Sequence, residues 1–141
     1  MHGERPIAIT AIARHYKPAV YPKVEDDATV IVEYPGAIGQ IEGSWSWPFG
    51  IKDFEVFGET GYLHALDNNH ITSRMRENIK AEKTVEALAS PINDPIVYLD
   101  AVLHNRLPGT DDQASLKYNM VAMEILDAAK RSIKEGKRIV L

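Results

Sequence analysis

The stretch Ala37-Ile-Gly-Gln-Ile-Glu-Gly-Ser-Trp-Ser-Trp47 decides the fold. Its odd positions hold Ala37, Gly39, Ile41, Gly43, Trp45 and Trp47, and its even positions Ile38, Gln40, Glu42, Ser44 and Ser46. A period of two with one apolar and one mostly polar face predicts a half-buried antiparallel strand over residues 37–47. Just upstream, Pro35-Gly36 marks a hairpin turn. Residues 29–34 are rich in β-branched side chains and predict a strand buried on both faces. Residues 7–13 alternate weakly and predict another, which the two prolines of residues 15–22 terminate. Downstream, residues 54–57 and 62–66 predict two short strands joined by Gly58-Glu-Thr-Gly61, whose second glycine is expected to supply a positive φ. Asp67-Asn-Asn69 reads as a turn, residues 70–75 as a strand and residues 84–88 as a further one.

The periodicity then changes. Asp94 is an N-cap with Pro95 at the first helical position, and Ile96, Leu99 and Leu103 recur at helical spacing, so residues 95–104 predict an amphipathic helix. Pro108-Gly109 breaks it. Thr110-Asp-Asp-Gln113 fits a capping box opening a long helix, with Leu116, Met120, Met123, Leu126 and Ile133 expected on its core stripe and Gly136 as its C-cap. Residues 138–141 predict a closing edge strand. The expected fold is α+β: a mostly antiparallel open sheet with two or three helices packed on one face, as a single domain.

Composition limits what such a domain does. The 141 residues suffice for one core, and 45% hydrophobic with 26% charged residues is an ordinary globular balance. A net charge of −4 argues against a nucleic-acid or anionic-membrane partner, because phosphate surfaces demand a basic face. With no cysteine, disulfides, thiolate zinc sites and thiol nucleophiles are excluded. No apolar run is long enough to span a bilayer, and Met1-His-Gly-Glu-Arg-Pro6 has no leader-type apolar segment, so a cytoplasmic location is expected.

No phosphate-binding loop is readable, since the Gly36/Gly39 and Gly58/Gly61 pairs have the wrong spacing and open no helix. The five histidines include no helical i, i+4 pair, and no metal site is expected. The serines of Gly43-Ser-Trp-Ser-Trp47 lie within an alternating strand and read as its polar face, not as a nucleophile elbow. The carboxylate pairs Asp26-Asp27 and Asp111-Asp112 read as a strand lead-in and a helix N-terminus; a weaker option makes His15 with Asp26 or Asp27 an acid–base pair. Two features keep functional weight. His15, Tyr16, Lys17 and Tyr21 combine imidazole, phenol and ammonium on one inter-strand loop, a set suited to a polyhydroxylated ligand; the plainer reading is an ordinary surface connection. Trp45 and Trp47 suit stacking on a sugar or, more plainly, packing at a subunit interface.

Three stretches carry a family resemblance: Tyr21-Pro-Lys-Val-Glu-Asp-Asp-Ala-Thr-Val-Ile-Val-Glu-Tyr-Pro35; Glu42-Gly-Ser-Trp-Ser-Trp-Pro-Phe49 with Lys52-Asp-Phe-Glu-Val-Phe-Gly-Glu-Thr-Gly-Tyr-Leu63; and Asp94-Pro-Ile-Val-Tyr-Leu-Asp-Ala-Val-Leu103 with the helix over residues 115–132 and Gly136-Lys-Arg-Ile-Val-Leu141. In order and spacing the chain resembles the later part of the C-terminal domain of the Gfo/Idh/MocA oxidoreductases, the glucose–fructose oxidoreductase and inositol dehydrogenase family. The resemblance implies a sheet of the dihydrodipicolinate/glyceraldehyde-3-phosphate dehydrogenase C-terminal type, and a parent enzyme with a Rossmann domain that binds NAD or NADP. It implies sugars, cyclitols or their derivatives as substrates and a homo-oligomer formed through the sheet.

The departures matter as much. The family's glycine-rich dinucleotide loop, its Glu-Lys-Pro lysine and its catalytic-histidine motif have no counterpart in residues 1–141. The resemblance thus implies a partial C-terminal domain with no catalytic, cofactor-binding or metal residue of its own. It also implies inactivity alone and partnership with a Rossmann domain of the same protein or a split partner. Two other expectations stand beside it: a stand-alone, non-catalytic binding or scaffold module, and a portion of an NAD-dependent glycosidase.

Overall fold

A computed structural model of the chain describes residues 4–77, 80–107 and 115–141. Eight strands and two helices follow in the order β1 (Ala8–Arg14), β2 (Asp27–Tyr34), β3 (Ala37–Ser44), β4 (Phe54–Gly58), β5 (Gly61–Ala65), β6 (His70–Met75), β7 (Ala81–Thr84), α1 (Pro95–Leu103), α2 (Leu116–Glu135) and β8 (Ile139–Val140). The α+β class and the antiparallel meander are as the sequence predicts. The strands, however, divide between two four-stranded sheets, ordered β3-β2-β1-β8 and β4-β5-β6-β7. The chain forms two compact units: Met1–Pro48 with Gly109–Leu141, and Phe49–Pro108.

In the first unit the Pro35-Gly36 turn sets the β2–β3 register at Tyr34 opposite Ala37, so Val30 and Val32 face the same way as Ile9 and Ala11 of β1. Helix α2 lies over β1 and β8. The core is Ile9, Ala11, Val32, Ala128, Ala129 and Ile139, with Val30, Tyr34 and Ile125 packed against it. One helix covers one face only, which corrects the expectation of a doubly buried β2: Ile31, on the opposite face, is exposed. Strand β3 lies beyond the helix, so its apolar face is open at Ile41. It also ends at Ser44, three residues short of the predicted boundary, leaving both tryptophans outside the ladder.

The α2 stripe is the larger correction. Leu116, Met120, Met123, Leu126 and Ile133 are all exposed, Met123 to 60%. The side chains that meet the sheet are Ile125, Ala128, Ala129 and Ser132, on the opposite side of the helix. Gly136 closes α2 in the left-handed conformation, φ 63°, as expected of a C-cap. The predicted helix break at Pro108-Gly109, the capping box over residues 110–113 and the Asp111-Asp112 helix terminus lie outside the described residues.

In the second unit Asp94 caps α1, its carboxylate accepting from the Ile96 and Val97 N–H groups at 2.8 and 3.1 Å. Of α1's residues Ala101 is buried, whereas Ile96, Leu99 and Leu103 are exposed. Strand β7 runs over Ala81–Thr84, earlier than the predicted 84–88. Asp67 organises the β5–β6 turn by accepting from the backbone of Asn69 and His70 and from the His70 ring. These bonds, that from Asn69 foremost, hold its carboxyl below the usual carboxylate range despite its desolvation.

Gly61 is required for a reason other than a positive φ, which it does not have. A Cβ there would fall on the Arg74 carbonyl oxygen and 2.9 Å from the Met75 Cα, because β6 approaches it closely. Gly61→Ala should therefore destabilise the second unit by about 1–3 kcal/mol, the cost of forcing a methyl against backbone. Amide exchange in β5 and β6 checks this, and unchanged protection would refute the close approach.

Candidate functional site

The loop between β1 and β2 and the segment after β3 meet at one residue, Asp26, which is 2% exposed. Its carboxylate accepts from the backbone N–H of Tyr16 at 2.8 Å and of Lys17 at 2.6 Å. Its own N–H donates to the Arg14 carbonyl at 3.1 Å. Its carbonyl accepts from the Trp45 N–H at 2.8 Å and from the Ser44 hydroxyl at 3.3 Å. One residue thus ties both connections to the end of the first sheet. Burial pushes the Asp26 carboxyl up, but the Tyr16 and Lys17 N–H bonds and the field of His15 more than offset this, and it titrates below the usual carboxylate range.

Further bonds finish the loop. The His15 ring bonds the Tyr21 carbonyl oxygen. The Lys17 ammonium donates to the carbonyls of Ser46 at 3.2 Å and Trp45 at 3.5 Å. The rings of Tyr21 and Trp45 pack at 5.2 Å between centroids with an interplanar angle of 43°. The structure therefore brings His15, Tyr16, Lys17, Tyr21 and Trp45 into one wall. Within it His15 and Lys17 act as internal staples, while Tyr16 and Trp45 face outward, each 63% exposed. Trp47 is partly exposed and takes no part in that ring pair.

Asp26 reads from the sequence as a strand lead-in or, more weakly, as an acid–base partner of His15, and that reading misses its anchoring role. Its signal was an aspartate placed between a proline-rich loop and a strand, where a short carboxylate closes the preceding turn through backbone N–H groups. With both oxygens engaged by those groups, it serves as an anchor, and the acid–base pairing with His15 gains no support from the geometry. A depressed folded-state pKa means the stabilisation is present above the ordinary aspartate value and is lost as pH falls through the folded one. Trp45 emission should therefore hold from neutrality down to about pH 4 and change only below it. Asp26→Asn should remove that acid transition; an identical transition in the variant would assign it elsewhere.

The N-terminus of α1 is not free to hold an anion. A pyrophosphate needs free N–H groups at a helix N-terminus, and at α1 the Asp94 carboxylate already takes them and repels an anion. Among the described residues no group of three histidines or carboxylates is placed to hold a metal ion, and no helix is long and apolar enough to cross a membrane.

The fold and this wall define an α+β domain of antiparallel sheets with a helix on one face and a stapled loop at the end of the first sheet. Residues 1–64 match the model of the GFO/IDH/MocA C-terminal domain. Solved structures share the fold across almost the whole chain. An aldose-aldose oxidoreductase from Caulobacter crescentus, crystallised with glycerol, superposes with a TM-score of 0.76 at 20% identity over 99% of this chain and 42% of its own. An oxidoreductase from Sinorhizobium meliloti gives 0.73 at 19% identity over 97% of this chain and 47% of its own. GenD2 from gentamicin A biosynthesis, solved with NAD, gives 0.56 at 21% identity over 98% of this chain and 42% of its own. The chain thus spans less than half the length of the solved structures it resembles. No curated protein matches it in sequence.

Proposed function

We propose that this chain is the substrate-side and oligomer-forming portion of an NAD(P)-dependent oxidoreductase acting on a sugar, a cyclitol or a derivative. The observation that carries the reading is the pairing of a GFO/IDH/MocA C-terminal match over residues 1–64 with a likeness to less than half of each oxidoreductase it superposes on. Hydride chemistry belongs to the nicotinamide, and the protein's share is to bind, orient and exclude water. The residues described here suit the second task and not the first. The nicotinamide and the group that moves the substrate proton reside in a cofactor-binding domain of the same protein or of a split partner.

The exposed apolar surface supports such a partner. On α2 the outward side carries Leu116, Met120, Met123 and Leu126, all more than half exposed, and contiguous apolar surface of this kind marks an interaction site. In this reading the cofactor-binding domain covers that stripe. A second copy covers the open face of the sheet, where Ile12 and Ile38 are exposed.

The isolated chain is expected to give no calorimetric signal with NAD(H) or NADP(H) and no turnover of sugars or cyclitols. Joined to the cofactor-binding domain of its own gene or of the adjacent reading frame, it is expected to give substrate-dependent nicotinamide reduction. Micromolar binding of either nucleotide by the chain alone would overturn the reading.

A further inference from the structure

We propose that the Tyr21–Trp45 ring pair is a pre-formed stacking platform for the C–H face of a six-membered polyhydroxylated ring, a pyranose or a cyclitol. The ligand class rests on the sugar or cyclitol reading above; the site rests on the geometry. Two aromatic rings at 5.2 Å and 43° form a shallow angled surface, and the Trp45 side of it is 63% exposed. A flat apolar ring face with a polar edge is what an aromatic surface with donors at its rim recognises. The rim is supplied. Among the described residues neither the Trp45 indole N–H nor the Tyr21 hydroxyl has a hydrogen-bond partner within the chain, so both are open to ring hydroxyls.

The platform is also rigid. Tyr21 is fixed by the His15 ring on its carbonyl and by its own N–H donating to the Lys17 carbonyl at 2.9 Å. Trp45 is fixed by its N–H on Asp26 and by Lys17 near its carbonyl. Asp26 joins the two segments from a buried position. Ordering a loop is a main cost of binding, and here the fold has already met it. An ordinary surface connection has no need of a buried carboxylate and a lysine staple to hold Tyr21 against an outward-facing Trp45.

The test uses the whole chain carrying Trp47→Phe, which leaves Trp45 as the single indole reporter. Glucose and myo-inositol are titrated while emission is followed, with glycerol as an acyclic polyol control. A saturable change in the millimolar range with the cyclic probes, and none with glycerol, is expected. Tyr21→Phe should bind within a few-fold of the parent. Tyr21→Leu should weaken binding about tenfold, the loss of one ring contact of roughly 1.4 kcal/mol. Saturation-transfer NMR on the unmodified chain provides a variant-free check, with transfer expected at ring C–H protons. A linear response common to all three polyols, equal affinity in Tyr21→Leu, or Trp45 emission that follows protein concentration instead of ligand would overturn the platform; the last would assign the face to a second copy. Those failures leave the nicotinamide reconstitution untouched, so the two readings fall separately.

Discussion

Ile9→Ala is expected to lower the unfolding free energy by about 2–5 kcal/mol, because Ile9 is the largest fully buried apolar side chain among the described residues. Ile9 has 0% exposure and sits on β1 opposite Val32 on one side and Ile139 on the other. Its side chain therefore closes three strands at once. Above it the helix presents Ala128 and Ala129, whose small side chains let α2 approach the sheet closely. A cavity made there would stay largely unfilled, which is where truncation costs most. The measurement is the urea midpoint of the whole chain by far-UV circular dichroism. The matched control is Met123→Ala, expected to fall within about 0.5 kcal/mol because Met123 is 60% exposed. A large loss in Met123→Ala with a small one in Ile9→Ala would mean that the outer stripe of α2 is the core and the sheet contact is not.

That contrast also shows how the sequence can mislead. The long helix carries two apolar stripes: the bulky Leu116, Met120, Met123 and Leu126, and the modest Ile125, Ala128, Ala129 and Ser132. Periodicity favours the stripe with more hydrophobic volume, whereas a helix lying on a sheet favours the stripe that permits close approach. The bulky stripe is left exposed. The same holds for Ile96, Leu99 and Leu103 on α1, where the helix and its Asp94 cap were readable and its packing was not.

Hairpins read well because their register is local: Pro35-Gly36 places Tyr34 opposite Ala37 with no long-range information needed. Gly61 was found for the wrong reason, since the strand that excludes a Cβ there is β6, more than ten residues away in sequence. At the candidate site the residue types His15, Tyr16, Lys17, Tyr21 and Trp45 were legible as a set with chemistry. Which of them staple and which face outward was not, because that division is made by Asp26, and burial of one carboxylate leaves no periodic trace. The join between Tyr21 and Trp45 likewise depends on tertiary pairing of β1, β2 and β3, which no single segment encodes.

Ser132→Ala is expected to cost about 1–3 kcal/mol, although it removes a single oxygen atom. Ser132 is 1% exposed, and its hydroxyl works in both directions. It accepts the Ala11 N–H at 2.9 Å and donates to the Lys137 carbonyl at 2.7 Å. Strand β8 pairs with β1 only through Val140 opposite Ala8 and Ile139 opposite Ile9. Beyond that pair, the Ser132 hydroxyl satisfies the Ala11 N–H, as another residue of β8 otherwise would. Alanine leaves a buried donor unpaired, and the penalty is its desolvation rather than a lost contact. Amide exchange locates the effect: protection at Ala11 should fall about ten- to hundredfold. The far end of β1 should be spared, because the Asp26 N–H on the Arg14 carbonyl and the carboxylate on Tyr16 and Lys17 hold it independently. Trp45 emission in Ser132→Ala should then match the parent at neutral pH. Unchanged protection at Ala11 would show that the hydroxyl carries no stability. A simultaneous loss of the Trp45 signal would show that the wall at Asp26 depends on the helix and is not self-supporting.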